Sequence, residues 1–110
     1  MTKNEQRQAI EKEIATQIVT SALAAGYEIG VDNGGDEEEY RGKNKEEILK
    51  NMFATDSEYL YMYRASHHTS ASGYVLLVYG NDGWDVMSDW TTSLDPVLAE
   101  AQELSDKYSN

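Results

Sequence analysis

The amino-acid sequence predicts an α+β fold, a two-layer sandwich. An antiparallel meander of 3–4 strands carries about three helices, packed mainly on one face. Three observations lead there. Segments at both ends of the chain repeat apolar residues with the period of a helix. Three segments in the second half have the length and apolar content of strands, two of them with clear alternation. A Gly80-Asn81-Asp82-Gly83 turn joins the last two strands, as a three-residue hairpin loop requires.

Residues 5–25 form the first predicted helix. Ile10, Ile14, Ile18 and Ala22 recur every fourth position, and Val19 and Leu23 widen the stripe. Gly26 stands where a helix ends in a left-handed residue. In the short strand that follows, Tyr27, Ile29 and Val31 share one face. Asp32 to Asp36 read as a loop, and Tyr40 can anchor a partner strand. Asn44 and Glu47 have the spacing of a capping box for a helix from about 45 to 54, with Ile48, Leu49, Met52 and Phe53 inward. In the strand 58–64, Tyr59, Tyr61 and Tyr63 share one face, and Leu60 and Met62 the other. The run from Tyr74 to Tyr79 is apolar on both faces and reads as a central strand. In the return strand 84–90, strict alternation groups Trp84, Val86 and Trp90 against Asp85, Met87 and Asp89. Asp95 as N-cap and Pro96 at the first helical position open the last helix, with Val97, Leu98, Ala101, Leu104 and Tyr108 along its apolar stripe.

The 110 residues fit one domain, expected over 1–110. A domain of this size hides roughly two-thirds of the surface its unfolded chain exposes, enough for one core. With no cysteine, disulfide frameworks, Cys-ligated zinc and thiol nucleophiles are excluded. The first residues are polar, unlike a signal peptide, and no apolar run is long enough to span a membrane. The expected location is the cytoplasm.

Charge is the strongest compositional feature. Twenty Asp and Glu face nine Lys and Arg, giving a net charge of −11. Residues 65–106 contain seven acids and no Lys or Arg. Glu28, Asp32, Asp36, Glu37, Glu38 and Glu39 form a second block without a base between them. Such a field disfavours direct binding of nucleic acid and attracts cationic partners. It also serves solubility alone.

Catalytic patterns are sparse. His67-His68 is the one histidine pair, set among Ser, Thr and Ala, with no acid close in sequence to complete a metal site. The acidic loop 32–39 invites a cation. Read as an EF-hand from Asp32, however, it places Glu37 where the glycine belongs and Lys43 where the bidentate glutamate belongs. Asp85 and Asp89, four apart on a strand, stand ~13 Å from each other, too far for a glycosidase pair. No phosphate-binding loop, nucleophile elbow or dinucleotide fingerprint occurs. No cofactor is expected, and no residue is assigned to catalysis or to a metal.

From Val78-Tyr79-Gly80-Asn81-Asp82-Gly83-Trp84-Asp85-Val86 through Ser88-Asp89-Trp90-Thr91-Thr92-Ser93-Leu94, the chain resembles small acidic proteins of unassigned function from bacteria and their phages and mobile elements. The resemblance covers roughly the last third of the chain. It implies an accessory protein in the cytoplasm of a bacterium or phage-infected host and brings no activity with it.

Three function classes follow. The first is a non-enzymatic acidic binding protein for a basic partner, itself able to be a nucleic-acid-binding protein, with the acids standing in for phosphates. Glu37, Glu38, Glu39, Asp82, Asp85 and Asp89 would supply charge, and Tyr59, Tyr61 and Tyr63 contact area. The second is a homodimer paired through a sheet face or edge. The third is a metal-assisted hydrolase using the acidic loop or His67-His68.

Overall fold

A computed structural model describes residues 3–33, 40–53, 55–64, 71–80 and 86–109. In chain order the elements are α1 (Lys3–Ala24), β1 (Glu28–Asp32), β2 (Tyr40–Gly42), α2 (Lys45–Asn51), β3 (Ser57–Tyr63), β4 (Gly73–Val78), β5 (Met87–Trp90), a 3-10 turn (Thr92–Leu94) and α3 (Asp95–Ser109). The strands form one antiparallel sheet in the order β2-β1-β3-β4-β5. The α+β sandwich is thus as expected, with five strands where three or four were predicted. The fifth strand is β2, which begins at Tyr40, the residue read as able to anchor a partner strand. Its three residues are too few to show a period, and it exists by pairing with β1, Val31 opposite Tyr40 and Ile29 opposite Gly42.

The helices lie against a single face. Ile29, Val31, Leu60, Met62, Val75 and Leu77 point into it from the sheet, all at or near zero exposure. Ile14, Ile18, Val19 and Ala22 of α1, Ile48 of α2, and Leu98 and Ala101 of α3 close over them. Each fully buried aliphatic side chain contributes ~1.5–3 kcal/mol of transfer free energy. That is why the stripe of α1 and the alternation of β1 and β3 meet. Gly26, at φ +93°, ends α1 in the left-handed region, and Tyr27 N–H returns to the Ala22 carbonyl at 3.1 Å. Asn44 caps α2, its Oδ1 accepting from Glu47 N–H at 3.1 Å.

Two local expectations are corrected. Strict alternation put Met87 with Asp89. Instead a register shift between Leu76 and Leu77 pairs Leu77 with Met87 and Leu76 with Asp89, so Met87 is buried and Asp89 exposed. A bulge inserts a residue and breaks the period of two. Asp95 was expected to cap α3. It is helical itself, with φ −47° and ψ −47°, because the Thr92–Leu94 turn runs directly into the helix. Its carboxylate accepts the Trp90 indole N–H at 2.7 Å. Gly73 lets this turn lie close to β4, since a Cβ there would stand 3.0 Å from Leu94 Cδ1 and 3.2 Å from Thr91 Cβ. No helix among the described residues is long and apolar enough to cross a membrane.

Candidate functional site

Side chains alternate along β3 and β4, and the residues there not claimed by the helices share the opposite face of the sheet. The register aligns them in rows across the strands. One row runs Asp32, Tyr59, Leu76, Asp89. The next runs Arg41, Gly30, Tyr61, Tyr74. At ~4.8 Å per strand, the first row places a carboxylate at either end of a ~14 Å apolar span.

The rings form a connected cluster. Tyr59 and Tyr61 lie nearly parallel, with centroids 5.9 Å apart and 15° between planes. Tyr74 meets Tyr59 at 5.9 Å and 58°. Tyr59 is 37% exposed, and among the described residues it is the only large apolar side chain in the exposed class. The Tyr74 hydroxyl donates to Asp89 Oδ2 at 2.7 Å, which ties the aromatic cluster to the acidic edge. That bond, and the negative charge behind it, push the Tyr74 hydroxyl above its ordinary pKa of 10.0.

Tyr63 shares the face but not the exposure. It is 7% exposed, and the Arg41 guanidinium carbon lies 3.6 Å from its ring centroid. Arg41 Nε also bonds Glu28 Oε1 at 2.5 Å, and Glu28 stands opposite Tyr63 in the β1–β3 register. The expected contact area at Tyr63 is therefore occupied by the chain's own arginine. Of the acids expected to supply charge, Asp89 lies on this face. Glu37, Glu38, Glu39, Asp82 and Asp85 lie outside the described residues, as do His67, His68 and most of the acidic loop 32–39.

Sequence reasoning missed Tyr74 and Leu76. Val75 and Leu77 also alternate with them, so periodicity alone leaves both faces of β4 apolar and does not mark either as open. The signal was Tyr74 itself, whose hydroxyl needs a polar partner.

A second polar cluster sits at the other side of the sheet, where α1 meets the start of β3 and the end of β4. A pocket of about 440 Å³ is lined there by Glu11, Lys12, Phe53, Asp56 and Tyr79, among others. Behind it Glu58 is 1% exposed. Its Oε2 accepts from Phe53 N–H at 3.1 Å and from the Tyr79 hydroxyl, while Oε1 is buried with no hydrogen-bond partner among the described residues. Burial holds the Glu58 carboxyl above its ordinary value, against the lowering effect of these two bonds. Glu11, 5% exposed, accepts from Gly80 N–H at 2.6 Å. Both carboxylates thus bind backbone amides near segment ends and act as ties. Among the described residues no group of three or more His, Asp or Glu side chains is placed to hold a metal ion.

Comparison with protein-family models, with curated proteins and with solved structures finds no match to this chain.

Proposed function

We propose that this is a non-enzymatic binding protein that engages a basic protein through the open face of its sheet. One observation carries the reading. Exposed Tyr59, in ring contact with Tyr61 and Tyr74, lies between Asp32 and Asp89 on the face the helices leave bare. Aromatic anchors with polar rims are the usual anatomy of a protein interface. The net charge of −11 and the stretch 65–106, which contains β4 and β5 and no Lys or Arg, select a cationic occupant and disfavour a second copy of the same chain. The accessory role in a bacterial or phage setting implied by the C-terminal resemblance agrees with a protein that acts by occupying a partner.

The test is titration of the isotopically labelled protein with a basic peptide of mixed Lys and Arg, followed by NMR at increasing salt. The expected result is a set of shifts concentrated on Tyr59, Tyr61, Tyr74, Leu76 and Asp89, with affinity falling as salt rises. Tyr59→Ser should weaken binding ~5–30-fold, the effect of losing one aromatic anchor worth about 1–2 kcal/mol. Shifts spread evenly over the acidic surface, or an unchanged affinity for Tyr59→Ser, would overturn the reading. So would self-association through this face that strengthens with salt.

A further inference from the structure

Two unfavourable features converge beside the pocket where α1 meets β3 and β4. Phe53 sits at φ +70°, a backbone region that bulky residues rarely adopt. Glu58 is a carboxyl at 1% exposure. The two are linked, because Glu58 Oε2 accepts the Phe53 N–H at 3.1 Å and also the Tyr79 hydroxyl. Phe53 and Tyr79 both line the pocket of about 440 Å³, with ring centroids 5.5 Å apart and 50° between planes. One buried carboxyl thus fixes two aromatic residues of the wall. A wall held in place by hydrogen bonds behind it is what a preformed ligand site needs, and the volume lies in the range of small-molecule sites.

The charges that line this pocket differ in their commitments. Arg7 faces Glu11 at 4.0 Å, and Glu11 Oε2 also accepts the Gly80 N–H at 2.6 Å. Lys12 and Asp56 are both exposed, Lys12 on α1 and Asp56 just before β3. No ion pair joins them to each other or to another charge among the described residues. The Lys12 ammonium stands 5.4 Å from the Phe53 ring centroid, a contact with the ring face that leaves its N–H groups for an acceptor. The pocket therefore offers a cation, a carboxylate and an aromatic wall. A free α-amino acid with a large apolar side chain carries the three matching parts on one small molecule. A peptide terminus carries only one of the two charges.

We infer that this pocket binds a free α-amino acid with a large apolar side chain, its carboxylate on Lys12, its ammonium on Asp56 and its side chain against Phe53 and Tyr79. The site is separate from the open face of the sheet and stands whether or not that face docks a partner. The probe is L-phenylalanine, titrated into the intact protein by calorimetry, with N-acetyl-L-phenylalanine and L-phenylalanine amide for comparison. Each derivative lacks one charge and should bind ~10-fold more weakly, the effect of one lost charge-assisted hydrogen bond. In NMR of the labelled protein, L-phenylalanine should shift Lys12, Phe53, Asp56 and Tyr79 and leave Tyr59 and Tyr74 unmoved. Lys12→Met and Asp56→Asn should each weaken L-phenylalanine by a similar factor. Both residues are exposed, so the melting temperature should not fall, which separates loss of the site from loss of the fold. In Asp56→Asn, L-phenylalanine and its N-acetyl derivative should bind alike. No binding of L-phenylalanine, or binding that survives both substitutions, would overturn the site. A derivative that binds as tightly as L-phenylalanine would overturn the free amino acid in favour of a chain terminus.

Discussion

The Tyr79 hydroxyl donates to Glu58 Oε2, joining the residue just beyond β4 to a carboxyl buried near the start of β3. The same oxygen accepts the amide of Phe53, which sits at φ +70° just after α2. One carboxyl thus fastens three chain segments. It also holds Phe53 in a backbone region that costs a non-glycine residue roughly 1–2 kcal/mol.

Burial raises the Glu58 pKa above its ordinary value of 4.5, so the folded state binds this proton more tightly than the unfolded chain does. The sign follows from linkage. The stability this group confers is fully present below its unfolded value and is lost as pH rises through its raised folded value. Glu58→Gln keeps one oxygen that can accept from both Tyr79 and Phe53, without the buried charge. It should stabilise the protein at neutral pH by ~1 kcal/mol and flatten the decline in stability above pH 4.5. Chemical denaturation across a pH series checks this, and a destabilised Glu58→Gln at pH 7 would refute it.

Removing the other partner should have the opposite effect. Tyr79 is held well above its ordinary value by burial, and further by the charge of Glu58, so its hydroxyl is a committed donor. Tyr79→Phe leaves Glu58 Oε2 with only the Phe53 amide and should cost ~1–3 kcal/mol at neutral pH. The cost should shrink in a Glu58→Gln background, because an amide needs that donor less than a carboxylate does. Urea melts of the two single variants and the double variant measure the coupling.

Gly73→Ala should destabilise by ~1–3 kcal/mol, because the new methyl meets Leu94 and Thr91 of the turn that leads into α3. Trimming Leu94 to Val in the same chain should recover part of the loss. Thermal melts of the single and double variants decide it.

Tyr74 titrates above 10.0 chiefly because its hydroxyl donates to Asp89. Asp89→Asn should bring its pKa back toward 10.0, and ultraviolet titration of tyrosinate formation, set against Tyr74→Phe, reads it directly. An unchanged titration would mean that the Tyr74–Asp89 bond does not persist in solution.

Stability and binding should respond to salt in opposite directions. Screening a net charge of −11 relieves self-repulsion, so the melting temperature should rise by a few degrees between about 0.02 and about 0.5 M salt. Over the same range, affinity for a basic peptide should fall. Calorimetric scans and titrations on one preparation compare the two trends.

What the sequence by itself determined was local. The stripe from Ile10 to Leu23 specifies α1, the Asn44–Glu47 spacing specifies the start of α2, and the alternation of Tyr59 to Tyr63 against Leu60 and Met62 specifies which face of β3 is buried. These are properties of neighbouring residues, and periods of two and 3.6 report them directly. Only the tertiary structure decided what those faces meet. It laid Arg41 over Tyr63, brought Tyr74 beside Tyr59, and set Asp89 rather than Met87 on the open side through a bulge. It also buried Glu11 and Glu58 against the amides of Gly80 and Phe53. The physical reason is common to all of these. A bulge, a cross-strand register and a cation laid on a ring depend on residues far apart in the chain, and no local period encodes a distance between them.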